Sequence, residues 1–242
     1  MNPLREESIL KPESFKEFTT TNVVYIPFDL PSRLLQKAVK KQALKEKQTP
    51  FGHLYLLQDK IVLSQCLGAA SAVLSLERLI RSGTKEIILL GFCGSLRAEY
   101  RIGDMISITK AFSEEGTSKH YFPRKKIFFP SLLLKKRIEN ALIDSQCFFK
   151  TGSLVSTDAP YRETQSWLAM NRRRKIDCAD MEASAVFALA AFYNIQAAAL
   201  MIISDELWTG VWKKEFRDPL IKNKIKKYFL PFITSKRHGK KK

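Results

Sequence analysis

Two carboxylates, Asp180 and Glu182, stand at the start of an otherwise apolar stretch, CADMEASAVFALA. Asp180 suits the N-cap of a helix, and an acid in the first turn is favoured by the helix dipole. Glu182 also precedes a run of small and apolar residues, so we expect it near the core, where a buried carboxylate needs hydrogen-bond donors. No Lys or Arg follows Lys175 in this stretch. Two adjacent hydroxyls, as in a sugar, would supply those donors, with the Met181 side chain against the apolar face of the ring.

A third acid, Asp205, follows the very apolar run AAALMIIS. Partial burial raises the pKa of a carboxyl group, and an acid of that kind suits proton donation. Ser204 and Asp205 are equally suited to cap the next turn, so the pair alone leaves both interpretations open. The stretch GFCGSL places Gly91 and Gly94 after another buried run, where a backbone can turn sharply and approach an anion or a flat base. Taken alone, that pattern favours a plain turn.

The elements around these residues predict how they are positioned. The run KEIILLG is typical of a strand buried on both faces, and AASAVLSLERLIRSG predicts an amphipathic helix that Gly83 ends. Residues 32–48 and 161–173 have helical patterns as well. Strands alternate with helices, which predicts one α/β domain around a largely parallel sheet. Ligands of such folds bind beyond the carboxyl ends of the strands, here GFCGSL, STDAPY and SDEL.

Six stretches occur in the order and spacing of one known family: LGAASAVLSLERLI, GTKEIILLGFCGSL, RIGDMISITKAFSEEGTSKHY, TGSLVSTDAPYRET, ADMEASAVFALA and IISDEL. From about Ile61 to Arg217 the chain resembles the nucleoside phosphorylase family, which contains purine nucleoside and uridine phosphorylases and related nucleosidases. The resemblance implies a three-layer α/β/α sandwich with a central, largely parallel mixed sheet. It also implies a pentosyltransferase that cleaves an N-glycosidic bond, with phosphate or water as the acceptor.

Carried over by position, the resemblance assigns roles to the acids. It implies that Glu182 holds the 2′ and 3′ hydroxyls of ribose, with Met181 against the sugar and Asp180 as a further acid. It implies that Asp205 protonates or hydrogen-bonds N7 of a leaving purine, and that Arg217 pairs with Asp205 when the site closes. Bond cleavage builds positive charge on the ribose and negative charge on the base. A proton donor at the base and carboxylates near the sugar suit that chemistry.

The base and phosphate subsites follow from the same resemblance. The base is expected to lie against Cys93, Gly94 and Ser204, and phosphate, as co-substrate, near Gly91 and Arg33. Neither a cofactor nor a metal ion is implied.

Three positions depart from the pattern of the hexameric purine phosphorylases. Leu89 stands where those enzymes carry an arginine, Phe92 where they carry a serine, and Phe28 where their phosphate loop has a glycine. Arg33 is displaced relative to the arginine of that loop. Because an oxyanion needs N–H or cationic donors, a hydrolytic nucleosidase is an alternative to a phosphorylase.

Features of the sequence point to two different identities for the base. Thr164 and Ser166 stand where uridine phosphorylases carry the Gln and Arg that read uracil, and the chain keeps the Ser-Asp pair that those enzymes lack. Both features favour a purine. The stretches GTSKHY and DAPYRET nevertheless resemble uridine-phosphorylase-like members, so a uridine phosphorylase-like activity stays open.

Charge is unevenly distributed along the chain. The 242 residues carry a formal net charge of +17, with twelve Lys or Arg against two acids from Lys213 onward. The final KRHGKKK predicts a disordered basic tail.

We divide the chain into an N-terminal arm, 1–20, a phosphorylase-like domain, 21–232, and the tail, 233–242. No nucleic-acid-binding motif accompanies the charge, so nucleic acid is a disfavoured partner that the tail leaves open. A catalytically weak member that binds an acidic partner through the tail is a further alternative.

The remaining features concern the compartment and the assembly. Four cysteines in apolar contexts, without a C-x-x-C pair, indicate reduced core thiols in a cytoplasm. The N-terminus has no apolar core of the kind a secretory signal needs. The apolar segment from Ala183 to Ile203 is interrupted by Asn194 and Gln196, which indicates a buried helix and strand and no membrane span. The resemblance also implies a homo-oligomer.

Overall fold

The computed structural model describes residues 8–234 of the chain, the side chains of residues 29–34 excepted. Residues 1–7 of the predicted arm and the predicted tail from 235 onward lie outside the described residues. The strands are β1 (Asn22–Ile26), β2 (Lys45–Thr49), β3 (Gly52–Leu56), β4 (Ile61–Ser64), β5 (Glu86–Ser95), β6 (Met105–Ser113), β7 (Ile127–Phe128), β8 (Lys150–Ser156), β9 (Cys178–Asp180), β10 (Gln196–Glu206) and β11 (Lys213–Lys214). The helices are α1 (Asp29–Gln42), α2 (Ala69–Arg81), α3 (Ser118–Tyr121), α4 (Leu132–Asp144), α5 (Gln165–Arg173), α6 (Ala183–Phe192), α7 (Pro219–Lys224) and α8 (Leu230–Thr234), with a π-helical turn, Ile225–Phe229, between the last two.

The strands form one mixed sheet with a parallel centre. β4, β1, β5 and β10 lie side by side and run parallel. β6 runs antiparallel to β10 on its other side, and β8 runs parallel to β6. The short strand β9 pairs with the carboxyl ends of both β5 and β8. Residues that follow β8 and β9 are therefore brought close to the ends of β5 and β10.

Helices cover both faces of this sheet, so the predicted three-layer α/β/α sandwich is confirmed. On one face α2 packs against α6, and the buried positions of α2 recur with the period of a helix. On the other face α1, α4 and the C-terminal helices enclose a second core. α6 is buried from Ala183 to Ala190, as expected of a helix that is apolar on all sides. Its first turn is thereby fixed at the end of the sheet.

The helix predicted over residues 32–48 is too long. α1 ends at Gln42, and Lys45–Thr49 forms the edge strand β2, paired antiparallel with β3. Its alternating Lys and Glu residues gave the segment the composition of a solvent-exposed helix. Exposed charges, Lys above all, are also what protects the edge of a sheet from pairing with another chain.

The helix predicted over residues 161–173 begins later than expected. α5 starts only at Gln165, where Thr164 acts as the N-cap and its Oγ1 accepts the backbone N–H of Trp167. The preceding residues form a 3₁₀ turn, Pro160–Arg162, which brings a polar loop to the end of the sheet.

The two ends of the described chain are both anchored. Phe15 and Phe18 of the arm are buried, and the N–H of Phe15 donates to Ser82 Oγ at 2.7 Å. At the other end α8 continues two residues beyond the predicted start of the tail, with Ile233 buried. Between residues 8 and 234, no helix combines the length and the apolar character needed to cross a bilayer.

Candidate active site

A cavity of about 500 Å³ opens where β5, β9 and β10 end and α6 begins. Seven of the residues predicted for the site line it: Cys93, Gly94, Asp180, Met181, Glu182, Ser204 and Asp205. Two larger depressions, of about 640 and 690 Å³, contain none of the predicted residues. The cavity therefore lies where the sequence predicted ligand binding, beyond the carboxyl ends of the strands.

The carboxylate of Asp180 is fully engaged by its own protein. Oδ1 accepts the O–H of Ser156 at 2.5 Å, and Oδ2 accepts the backbone N–H groups of Glu182 and Ala183 at 3.2 and 2.7 Å. Ser156 Oγ in turn accepts the N–H of Ser184 at 2.9 Å. Burial raises the pKa of Asp180 to about 6, although these hydrogen bonds act in the opposite direction. Asp180 thus fixes the first turn of α6 on the cavity wall.

Glu182 is 1% exposed and has a backbone donor that the sequence did not reveal. Its Oε1 accepts the N–H of Gly68 at 2.7 Å. Gly68 adopts φ +88° directly before α2, a conformation that favours glycine. Burial, followed by the negative charge of Asp180, raises the pKa of Glu182 to about 8. A carboxyl group in this state gains from any further donor that enters the cavity, such as a ligand hydroxyl.

Asp205 lies at the end of β10 with both oxygens hydrogen-bonded. Oδ1 accepts the O–H of Ser204 at 2.7 Å, and Oδ2 accepts Nε1–H of Trp212 at 2.9 Å. Burial raises the pKa of Asp205, and the two hydrogen bonds partly offset this rise. A Cβ at Gly94 would lie 2.9 Å from Oδ2, so a larger residue there would displace the acid. Burial and a raised pKa are the properties expected of a carboxyl group that donates a proton.

The two glycines of GFCGSL do not form the expected turn. β5 continues through Gly91 and Gly94 to Ser95 because β10 and β9 pair with it there. A Cβ at Gly91 would lie 2.8 Å from Sδ of Met201, so Gly91 allows two strands to pack closely. Gly91 is not part of the cavity wall.

Of the two arginines predicted for the site, only Arg217 has a described side chain, and it does not line the cavity. Arg217 is exposed and lies outside the cavity wall, and among the described residues it makes no hydrogen bond to Asp205. Arg33 belongs to α1, but its side chain lies outside the described part of the structure.

Aromatic rings occupy the side of the cavity where donors for phosphate were expected. Phe28 and Phe92 stack with ring centroids 4.9 Å apart, and Phe216 lies 6.2 Å from Phe92. Leu89 is buried in the core. No Lys or Arg is found among the described residues of the wall, whereas four carboxylates are, those of Glu163, Asp180, Glu182 and Asp205.

Sequence reasoning missed two polar residues of the cavity, Glu163 and Trp212. Glu163 lies in the loop before α5, and burial together with the charges of Asp205 and Glu114 raises its pKa to about 7. No described residue donates a hydrogen bond to its carboxylate. Neither residue belongs to a periodic pattern, so only their place after two strand ends could have indicated them.

Comparisons with known proteins show the family of the chain. The sequence profile of the phosphorylase superfamily matches residues 34–227. A guanosine phosphorylase of Halorubrum lacusprofundi is 31% identical over 168 residues, which are 69% of this chain and 70% of that protein. A DeoD-type purine nucleoside phosphorylase of Bacillus cytotoxicus is 27% identical over 148 residues, 60% of this chain and 62% of that protein.

A solved structure shows the same fold. The purine nucleoside phosphorylase of Toxoplasma gondii, in complex with immucillin-H, superposes with a TM-score of 0.75 at 19% identity. The match covers 94% of this chain and 97% of that one.

Proposed function

Because the chain belongs to the phosphorylase superfamily, we propose that it is a nucleoside phosphorylase that cleaves the N-glycosidic bond of a purine nucleoside and transfers the pentose to phosphate. One observation carries the proposal. Buried acids from two separate segments, Glu182 before α6 and Asp205 at the end of β10, share one cavity of about 500 Å³. That volume lies within the range of small-molecule sites.

The acids at the two ends of the cavity complement the charges that cleavage creates. As the bond breaks, its electron pair moves to the base, and a proton from Asp205 to N7 neutralises the negative charge that forms there. Positive charge develops on the ribose, where the carboxylates of Glu182 and Asp180 stabilise it. The 2′ and 3′ hydroxyls donate to Glu182 and favour its ionised form, against the effect of burial. Met181 packs on the sugar.

Glu163 supports a purine that carries donors on its outer edge. Its carboxylate lines the cavity near Asp205 and accepts no hydrogen bond from the described residues. An N–H group of a bound base could therefore donate to it. The N1–H and 2-amino groups of guanine provide such donors, and adenine provides none at N1. The relative from Halorubrum lacusprofundi is a guanosine phosphorylase, which points the same way.

Phosphate as the acceptor rests on the relatives and on Arg33. A second candidate, a hydrolytic nucleosidase, is favoured by the stacked Phe28 and Phe92 and by the four carboxylates, since an acidic wall repels a phosphate dianion.

The experiment is a nucleoside panel assayed with and without phosphate. Guanosine, inosine, adenosine and uridine are incubated with the protein in phosphate-free buffer and again with inorganic phosphate, and free base, ribose and ribose 1-phosphate are quantified by chromatography. The proposal expects purine release that depends on phosphate and yields ribose 1-phosphate. Release of ribose at an unchanged rate without phosphate would establish hydrolysis. No release from any of the four would favour a binding protein.

The assembly and the compartment are proposed on separate grounds. We expect a homo-oligomer because the family resemblance implies one, and light scattering coupled to size exclusion measures it directly. A cytoplasmic site of action is consistent with four buried cysteines in the free thiol form.

A further inference from the structure

The acid at the end of β10 is held by an uncharged donor on the neighbouring loop. Trp212 Nε1–H donates to Asp205 Oδ2 at 2.9 Å, while Ser204 Oγ–H donates to Oδ1 at 2.7 Å and lies 3.4 Å from the carbonyl oxygen of Cys93. Arg217, the residue expected to pair with this acid, is exposed and does not line the cavity. The position of the arginine partner is thus taken by an indole.

The loop that carries Trp212 is tied to the sheet on both sides of the ring. β11 pairs antiparallel with the last residues of β10, and the N–H of Glu215 donates to the carbonyl oxygen of Ser204 at 3.0 Å. Before the ring, the carbonyl oxygen of Gly210 accepts Nε2–H of Gln165 at 2.7 Å. The indole is therefore positioned by backbone pairing, although its ring is half exposed and lines the cavity.

We propose that Trp212 is the positioning residue of the catalytic acid, orienting the carboxyl of Asp205 toward the base and stabilising the carboxylate left after proton transfer. This inference rests on the proposed function. Each carboxyl oxygen has two lone-pair directions, so Oδ2 can keep the indole bond while Asp205 gives its proton to N7. The electron pair of the glycosidic bond goes to the base, Asp205 becomes negative, and Nε1–H then donates to an anion, which is the stronger bond.

An uncharged donor suits an acid that must stay protonated near neutral pH. A cation bonded to Asp205 would lower its pKa more strongly than an indole does. The charged or titratable groups around Asp205 are Glu163 before α5, Cys93 on β5 and Lys214 on β11. The Lys214 ammonium lies over the indole ring, 4.9 Å from its centroid. No ion pair between Lys214 and Asp205 is found among the described residues, so the donors to the acid are the uncharged indole and the Ser204 hydroxyl.

The hydrogen bond between Trp212 and Asp205 can be tested without any catalytic turnover. The chain has three tryptophans, so the indole of Trp212 is identified in a spectrum of ¹⁵N-labelled protein by its loss in Trp212→Phe. We expect its N–H signal to move with pH as Asp205 titrates, and to stop moving in Asp205→Asn. The indoles of Trp167 and Trp208, which donate to Glu114 and Glu206, are references that Asp205→Asn leaves unchanged. A Trp212 signal that ignores pH, or that titrates equally in Asp205→Asn, would overturn the inference.

Kinetics separate Trp212 from Arg217. Trp212→Phe keeps the ring and removes the N–H, so it should raise the pKa of Asp205 and move the high-pH limb of kcat/KM upward by ~1 pH unit. On the low-pH plateau kcat should fall by about 10-fold with little change in KM, since the bond strengthens in the transition state. Arg217→Gln should leave the limb in place. If Arg217→Gln moves the limb and Trp212→Phe does not, Arg217 holds the acid and the inference is wrong.

The two proposals fail in different ways. A titrating Trp212 signal in a protein that cleaves no nucleoside would refute the proposed function and leave the acid–indole pair intact. Cleavage of purine nucleosides by a protein whose Trp212 signal does not titrate would support the proposed function and refute the acid–indole pair.

Discussion

Two groups of acids line the cavity and are held in different ways: Asp180 and Glu182, proposed to bind the sugar (the sugar end), and Asp205 and Glu163, proposed to face the base (the base end). At the sugar end, Asp180 is held by the buried Ser156 and the first turn of α6, and Glu182 accepts the N–H of the half-buried Gly68. At the base end, Asp205 is held by the half-exposed Trp212, and Glu163 has no donor among the described residues. In the proposed function, the pentose would thus bind to acids that the fold already holds in place. At the base end only Glu163 and Trp212 lie in loops, and loop residues can be exchanged without repacking the core.

The largest effect is expected at the base end. Asp205→Asn keeps the shape of the side chain but removes the transferable proton and leaves one acceptor oxygen for two donors, so kcat/KM for a purine nucleoside should fall by ~10²–10⁴-fold. Steady-state assays of guanosine and inosine measure it. Asp144→Asn, an exposed position at the end of α4, is the matched control and should behave like the unmodified chain. Near-normal turnover by Asp205→Asn would remove the acid from the mechanism.

The next effect concerns the sugar end. Glu182→Gln weakens the bonds to the 2′ and 3′ hydroxyls, and kcat/KM for a ribonucleoside should fall by ~10–100-fold. The loss should be smaller for the 2′-deoxynucleoside, which has one hydroxyl fewer to offer. Equal losses for the two substrates would show that Glu182 acts on something other than these hydroxyls.

Stability should also depend on Glu182, with a sign that follows from its burial. Burial raises the pKa of Glu182 from 4.5 to about 8, so the folded chain binds a proton that the unfolded chain has released between those values. Stability is therefore lost as pH rises through this window, by on the order of 5 kcal/mol. Glu182→Gln removes this dependence, and its melting temperature relative to the unmodified chain should increase from pH 5 to pH 8. A difference that stays constant over this range would contradict the assigned burial of the charge.

The smallest effect is expected from the loop anchor. Gln165→Ala removes the bond to the carbonyl oxygen of Gly210 and loosens the loop that carries Trp212, at a cost of about 1 kcal/mol or less in stability. We expect kcat/KM to fall by about 2–5-fold, a change that would follow from a small displacement of the acid. Ser166→Ala, at the next position of α5, is the control. An equal fall in kcat/KM for this variant would show that the loss in Gln165→Ala does not come from loosening the loop.

Much of this architecture could be predicted from the sequence because it depends on local periodicity. The continuous apolar run of β5, the helical period of α2 and the order of the six family stretches located the sheet, its layers and the cavity. The predicted residues Cys93, Glu182 and Asp205 meet there because strand ends converge in an α/β fold. Their assignments as base, sugar and proton-transfer residues stay predictions.

What the sequence did not predict depends on long-range pairing. Gly68 donates to Glu182 across 114 positions of the chain, and no local pattern reports such a contact. Trp212 reaches Asp205 only because β11 folds back on β10, and two paired residues leave no periodic signal. The edge strand β2 was hidden for the opposite reason, since its charged residues are also good helix formers. Local propensity was therefore reliable in the core and failed at the edges and loops.

The most direct test of the central claim is a crystal structure of the protein with a purine C-nucleoside, whose glycosidic bond cannot be cleaved. The account predicts the ribose 2′ and 3′ oxygens within ~3 Å of the Glu182 carboxylate and the N7 position within ~3 Å of Asp205, with Nε1–H of Trp212 still on that acid. A nucleoside bound in the reverse orientation, or seated outside this cavity, would contradict it.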